Sequence, residues 1–203
     1  MQAESIETFQ TLNDIAEAHG GYLQASEAAA HDIDEYLFRQ FVDSQGYEQV
    51  ACGIYLASDA MDDDYYLLQL QHPHIVFSHH SALFIHTLSD TVPVSPAVTV
   101  QRGHSTDALE SAGARVFAVR ESLHEVGLSY KKTFFGNTIR VYDLERTVCD
   151  LLRNKDCFEA QDYCEPLKYY TLRPDKDLYR LDDYARQFGV QEKAREYMRL
   201  LKL

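Results

Sequence analysis

Gly20 and Gly21 are followed, after ten intervening residues, by Asp32-Ile33-Asp34. A glycine turn set before paired carboxylates can hold a divalent metal for phosphoryl or nucleotidyl transfer. That chemistry needs the aspartates on a strand beside the glycine loop. Here Ile15-Ala16-Glu17-Ala18-His19 reads as helix and Asp34 opens a helix, so the context favours caps and turns over catalysis. His72, His74, His79, His80 and His86 form a second constellation. His72-Pro73-His74 could grip a metal if His79 or His80 came close, because imidazole is a common ligand. No carboxylate or thiol sits at helpful spacing, and His79-His80 read as polar residues ahead of a helix at Ser81. Cys52, Cys149, Cys157 and Cys164 lack zinc-site spacing and read as reduced small hydrophobes. No Gly-x-Ser-x-Gly elbow, phosphate loop or dinucleotide fingerprint occurs. The expectation is a non-catalytic chain with no metal and no cofactor.

The richest stretch is Arg140-Val-Tyr-Asp-Leu-Glu-Arg-Thr-Val-Cys-Asp-Leu-Leu152. A short strand, Ile139 to Tyr142, passes straight into a helix with Asp143 at its N-cap. Leu144, Val148, Leu151 and Leu152 follow at i, i+4, i+7 and i+8 and give the helix an apolar face. Glu145, Arg146 and Asp150 lie on the other side, where Arg146 and Asp150 can pair across one turn. Glu145-Arg146 has two readings. One is a structural first turn, with Glu145 favouring the helix dipole. The other makes the pair part of a working surface with Lys131, Lys132 and Arg140 of the preceding hairpin.

Several elements must position these residues. Ile6, Phe9, Leu12 and Ile15 recur at three-residue steps and predict an amphipathic helix over 5–18, ended by Gly20-Gly21. Tyr22-Leu23 is extended, Ser26 suits the cap of a brief alanine-rich helix, and Asp34 caps a third helix to about Ser44. Tyr47–Val50 and Gly53–Leu56 flank a tight turn. Helix, short helix, helix and hairpin within about 55 residues is the layout of a winged helix-turn-helix. Ser58 to Asp64 reads as a solvated linker, which puts domains at 1–60 and 61–203. Beyond it come strands at Val98–Gly103 and Val116–Val119, and a hairpin of Tyr130–Phe135 and Thr138–Tyr142 around Gly136-Asn137. The end is helical, over about 159–170, 181–188 and 190–202. The fold class expected is α+β: a winged helix, then a mixed-sheet domain with a helical C-terminal layer.

Hydrophobic residues make up 45% of the 203-residue chain and aromatic ones 12%, as in ordinary globular proteins. Met1-Gln2-Ala3-Glu4-Ser5 lacks the pattern of a signal peptide, and no apolar run approaches a membrane span. A cytoplasmic protein without membrane contact is expected. Charge is uneven: residues 1–101 hold one base, Arg39, and 15 acids, whereas residues 102–203 hold 18 bases and 17 acids. Such asymmetry speaks to partners rather than to fold.

The strand–Asp–x–Glu-Arg-Thr–helix junction resembles the hallmark of the AbiEi family, antitoxins of bacterial abortive-infection toxin–antitoxin systems. Gly21-Tyr22-Leu23, Glu27-Ala28 and Gly53-Ile54-Tyr55-Leu56 are similar to its N-terminal domain. Ser81-Ala82-Leu83 and Val98–Gly103 are similar to its second domain. The resemblance covers nearly the whole chain and implies a non-catalytic antitoxin that counteracts a nucleotidyltransferase-like toxin. It further implies repression of the chain's own operon, with Ser26, Tyr36, Arg39 and Gln40 facing operator DNA. Arg102, Lys131, Lys132, Arg140, Glu145 and Arg146 are the expected antitoxin surface. Two alternatives stay open: a transcriptional regulator with a sensing domain, and a metal-dependent nucleotidyltransferase.

Overall fold

The structure, a computed structural model, describes residues 2–200, with side-chain environments for residues 6–159 and 162–199. Met1, and Leu201 of the last predicted helix, lie outside the described residues. The chain is a mixed α+β protein with two open sheets and, among the described residues, eleven α-helices. No helix of the described residues is long and apolar enough to cross a membrane.

Two compact units divide the chain: residues 1–73 with 132–138, and residues 74–131 with 139–203. In the first unit, α1 (Gln2–Ala18), β1 (Tyr22–Gln24), α2 (Ala25–Ala30) and α3 (Glu35–Gln45) precede β2 (Tyr47–Ala51), β3 (Ile54–Ala57) and α4 (Asp64–Gln71). The strands form an antiparallel sheet in the order β1-β3-β2. Leu12, Ile15 and Ala16 of α1 bury against Ala28, Phe38, Phe41 and Val42, which explains the periodicity of both helices. Asp34 caps α3 by accepting from the Tyr36 amide at 2.8 Å, and Gly46 ends it in the left-handed region at φ 72°. Ser26 does not cap α2. The helix begins two residues earlier than that cap implies, at Ala25, with Gln24 at the N-cap position and no side-chain bond there.

Residues 58–64 are not a freely solvated linker. Asp63 is 2% exposed, caps α4 through the Tyr66 amide at 3.1 Å, and receives two further side chains. The first unit therefore runs on past residue 60. Tyr66 of α4 packs edge-on to Tyr22 at 5.4 Å and hydrogen-bonds His19.

The second unit contains β4 (Val76–Phe77), α5 (His79–Ile85), β5 (Ala97–Gln101), α6 (Asp107–Ser111), β6 (Arg115–Val119) and α7 (Glu121–His124). Then come β7 (Leu128–Lys132), β8 (Thr138–Tyr142), α8 (Leu144–Arg153), α9 (Ala160–Leu172), α10 (Leu178–Gln187) and α11 (Gln191–Leu200). The sheet is mixed, in the order β6-β5-β4-β8-β7, with β5 parallel to β6 and β4 parallel to β8. Val148, Leu151 and Leu152 of α8 meet Leu167, Leu181, Ala185 and Ala194 in one core, so α8 lies at the centre of the helical layer. β7 ends at Lys132, three residues before the expected Phe135, and leaves Phe134-Phe135 in the turn.

Candidate functional site

At the β8–α8 junction the polar residues point inward. Asp143 caps the helix through the Arg146 amide at 2.8 Å, and its other oxygen accepts from the Tyr184 hydroxyl at 3.2 Å. Arg146 is fully buried. Its Nε donates to Asp150 at 3.1 Å, and its Nη1 donates to the carbonyls of Leu123 (2.9 Å) and Val126 (2.7 Å). The guanidinium carbon sits 3.8 Å from the Tyr142 ring centre and 4.0 Å from that of Phe188, a cation held between two aromatic rings. Glu145, also buried, accepts from the Asp177 amide at 2.8 Å and the Tyr170 hydroxyl at 3.1 Å. Burial raises the pKa of Asp143, Glu145 and Asp150, and hydrogen bonds and Arg146 offset this only in part. Gly127 closes the site. At φ +77° it approaches so closely that an added Cβ would stand 2.5 Å from Cβ of Arg146.

This geometry corrects the expectation that Glu145 and Arg146 belong to an exposed surface. It realises instead the structural alternative, in which Arg146 pairs Asp150. The other members of that expected surface are dispersed. Arg140 is half-buried and bonded to Glu125 at 2.9 Å. Arg102 is exposed beyond the end of β5, three strand spacings, or about 14 Å, from β7. Its neighbour is Arg120, because Gln101 pairs with Val119. Lys131 and Lys132 are exposed at the end of β7.

In the first unit, α3 turns Tyr36, Arg39 and Gln40 to solvent, and Ser26 is exposed on α2. Arg39, the one base among residues 1–101, is held by Glu35 at 2.9 and 3.0 Å. Glu35 and Asp43 share its exposed face. Gly20 and Gly21 serve close packing: a Cβ on Gly20 would collide with the Asn137 side chain, and one on Gly21 with Ala60. Asp32 occupies a turn at φ 57° and Asp34 a helix cap, so neither stands on a strand as two-carboxylate metal chemistry requires.

The histidines disperse as well. His74 stacks on His104 at 4.9 Å, while His79 opens α5, lies 3.4 Å from the Phe117 ring centre and contacts Ser78 and Asn154. Burial holds the His79 imidazole well below its usual pKa. His86 donates through Nε2 to the Tyr142 carbonyl at 2.7 Å. No group of three or more His, Cys, Asp or Glu converges among the described residues. Cys149 is buried, Cys157 half-buried, and Cys52 and Cys164 are exposed.

The Gly136-Asn137 turn is legible in the sequence, but the exposed aromatic pair at the tip of the β7–β8 hairpin is not. Phe134 is 98% exposed and Phe135 44%. Asp63 holds the turn beneath them by accepting from Thr133 Oγ1 and from Asn137 Nδ2 at 2.8 Å.

The chain shares its overall fold with the RV2827C protein of Mycobacterium tuberculosis, seen in a crystal structure. The TM-score is 0.54 at 10% sequence identity, over 87% of this chain and 70% of that one. No protein-family model matches the chain, and neither does any curated protein.

Proposed function

We propose that the chain is a non-catalytic antitoxin of the AbiEi type that counteracts a nucleotidyltransferase-like toxin. The observation that carries this is the 139–152 junction. The residues through which the chain resembles that family hold one another in a buried network rather than facing a substrate. They act as a shared scaffold mark. Partners must be met elsewhere on the surface. In the first unit, the order α-β-α-α-β-β with sheet order β1-β3-β2 supports a winged helix, and hence repression of the operon through α3. The paired Arg39 and the acidic face make any such DNA contact weak in phosphate neutralisation. Expression of the chain together with the toxin of a neighbouring gene tests the antitoxin role by restoration of growth. A gel shift of the full chain on upstream inverted repeats tests repression.

A second reading, a regulator with a sensing domain, draws on a surface groove of about 340 Å3 in the second unit, lined by His80, Val94, Ser95 and Arg115 among others. Promoter binding without rescue from the toxin favours it.

A further inference from the structure

The hairpin turn of residues 132–138 presents its largest apolar side chains to water and holds them there. Phe134 and Phe135 meet edge to face at 5.6 Å; Phe134 stands free of the chain, and Phe135 is half-covered beside it. The turn beneath them is fixed. The Thr133 amide donates to the Asn137 carbonyl at 2.8 Å, the Gly136 amide donates to the Thr133 carbonyl at 3.1 Å, and both flanking side chains end on the buried Asp63 carboxylate. A solvent-exposed aromatic pair on a preorganised turn loses little conformational freedom when it is inserted into a partner. Aromatic side chains that enter a pocket supply much of the energy of an interface.

The surrounding charge selects the partner. The first unit, residues 1–73 and 132–138, contains 14 acids and two bases, Arg39 and Lys132, and Arg39 is already paired with Glu35. Asp62 and Asp64, both exposed, flank the Asp63 that anchors the turn. A nucleic acid running past the tip would be repelled along the unit, whereas a basic protein would be attracted. At physiological salt this attraction acts within about 8 Å and chiefly speeds encounter.

We propose that the hairpin tip is a docking finger: Phe134 and Phe135 enter an apolar pocket ringed by Lys and Arg on a basic protein partner. Under the antitoxin reading, on which this rests, the partner is the toxin itself. The acidic unit then lies against a basic face of that toxin.

The test uses the full chain and the purified toxin of the neighbouring gene. Wild-type protein is expected to form a complex whose association slows as salt is raised. Phe134→Ser alone, at the fully exposed ring, is expected to weaken it by about 10-fold with an unchanged melting temperature, and Phe134→Ser with Phe135→Ser by about 100-fold, with a small fall in melting temperature from the half-covered Phe135. Asp62→Lys is expected to slow association several-fold while leaving dissociation unchanged. Growth rescue is scored in parallel. Rescue by wild type with no complex, or with a complex that the double variant leaves intact, overturns the docking finger and leaves the antitoxin reading standing. No rescue by wild type overturns both. Loss of self-association, or of single-stranded DNA retention, in the double variant without loss of toxin binding would assign the tip to a second copy or to nucleic acid and overturn the proposal.

Discussion

The carboxylate of Asp63 accepts a 2.8 Å hydrogen bond from the side-chain amide of Asn137, 74 residues further along the chain. Asp63 also caps α4, so one buried carboxylate fixes both a helix start and a hairpin turn. Asp63→Ala removes the cap and strands the buried Asn137 amide and the half-buried Thr133 hydroxyl. A loss of about 2–4 kcal/mol is expected, measured by denaturant unfolding, with faster amide exchange across residues 132–138.

The Arg146 hub makes a sharper demand. Arg146→Ala leaves Asp150 as a buried charge without its partner and empties the space between Tyr142 and Phe188. The expected destabilisation is about 3–5 kcal/mol. Arg146→Met with Asp150→Leu removes both charges and is expected to lose much less. Equal losses for the two variants, by urea titration, would contradict a charge-pair hub.

Gly127 and Gly136 both have positive φ, but only Gly127 lies against Arg146. Gly127→Ala combines backbone strain with displacement of the hub, for about 2–4 kcal/mol. Gly136→Ala meets open space and is expected to lose only about 1 kcal/mol. Thermal melts of the two variants compare them directly.

Glu145 has a pH signature. Desolvation raises its pKa and the Asp177 amide bond offsets this in part, so the folded protein holds this proton more tightly than the unfolded chain. The stabilisation is complete below the ordinary carboxylate pKa of about 4. It is lost as pH rises through the raised value. Glu145→Gln keeps a neutral acceptor for Tyr170 and Asp177 at every pH. It is expected to match wild type at low pH and to exceed it at pH 7, followed as melting temperature against pH.

Much of the fold follows from local signals. Asp143 and Asp34 cap their helices as their residue types suggest, and Arg146 pairs Asp150 because four residues complete one helical turn. The hub's depth had no local signal. Leu123, Val126 and Phe188 come from segments 20 or more residues away, and two adjacent charges in a first turn ordinarily face water. Asp63 was hidden for a similar reason: within Asp62-Asp63-Asp64 nothing distinguishes the central residue until Thr133 and Asn137 reach it. The short elements β4, α6 and α7 were too brief to show a period. The candidate surface was the least legible part. Arg102, Lys131, Lys132 and Arg140 are close in composition, but strand order separates Arg102 from the lysines, and Glu125 engages Arg140.

Growth of cells that express the neighbouring toxin, with and without this chain, is the most direct measurement of the antitoxin role. Restored growth is predicted with the wild-type chain, and also with Asp32→Ala and Asp34→Ala together, since no catalysis by those carboxylates is involved. Arrest that persists despite normal levels of folded wild-type chain would contradict the account.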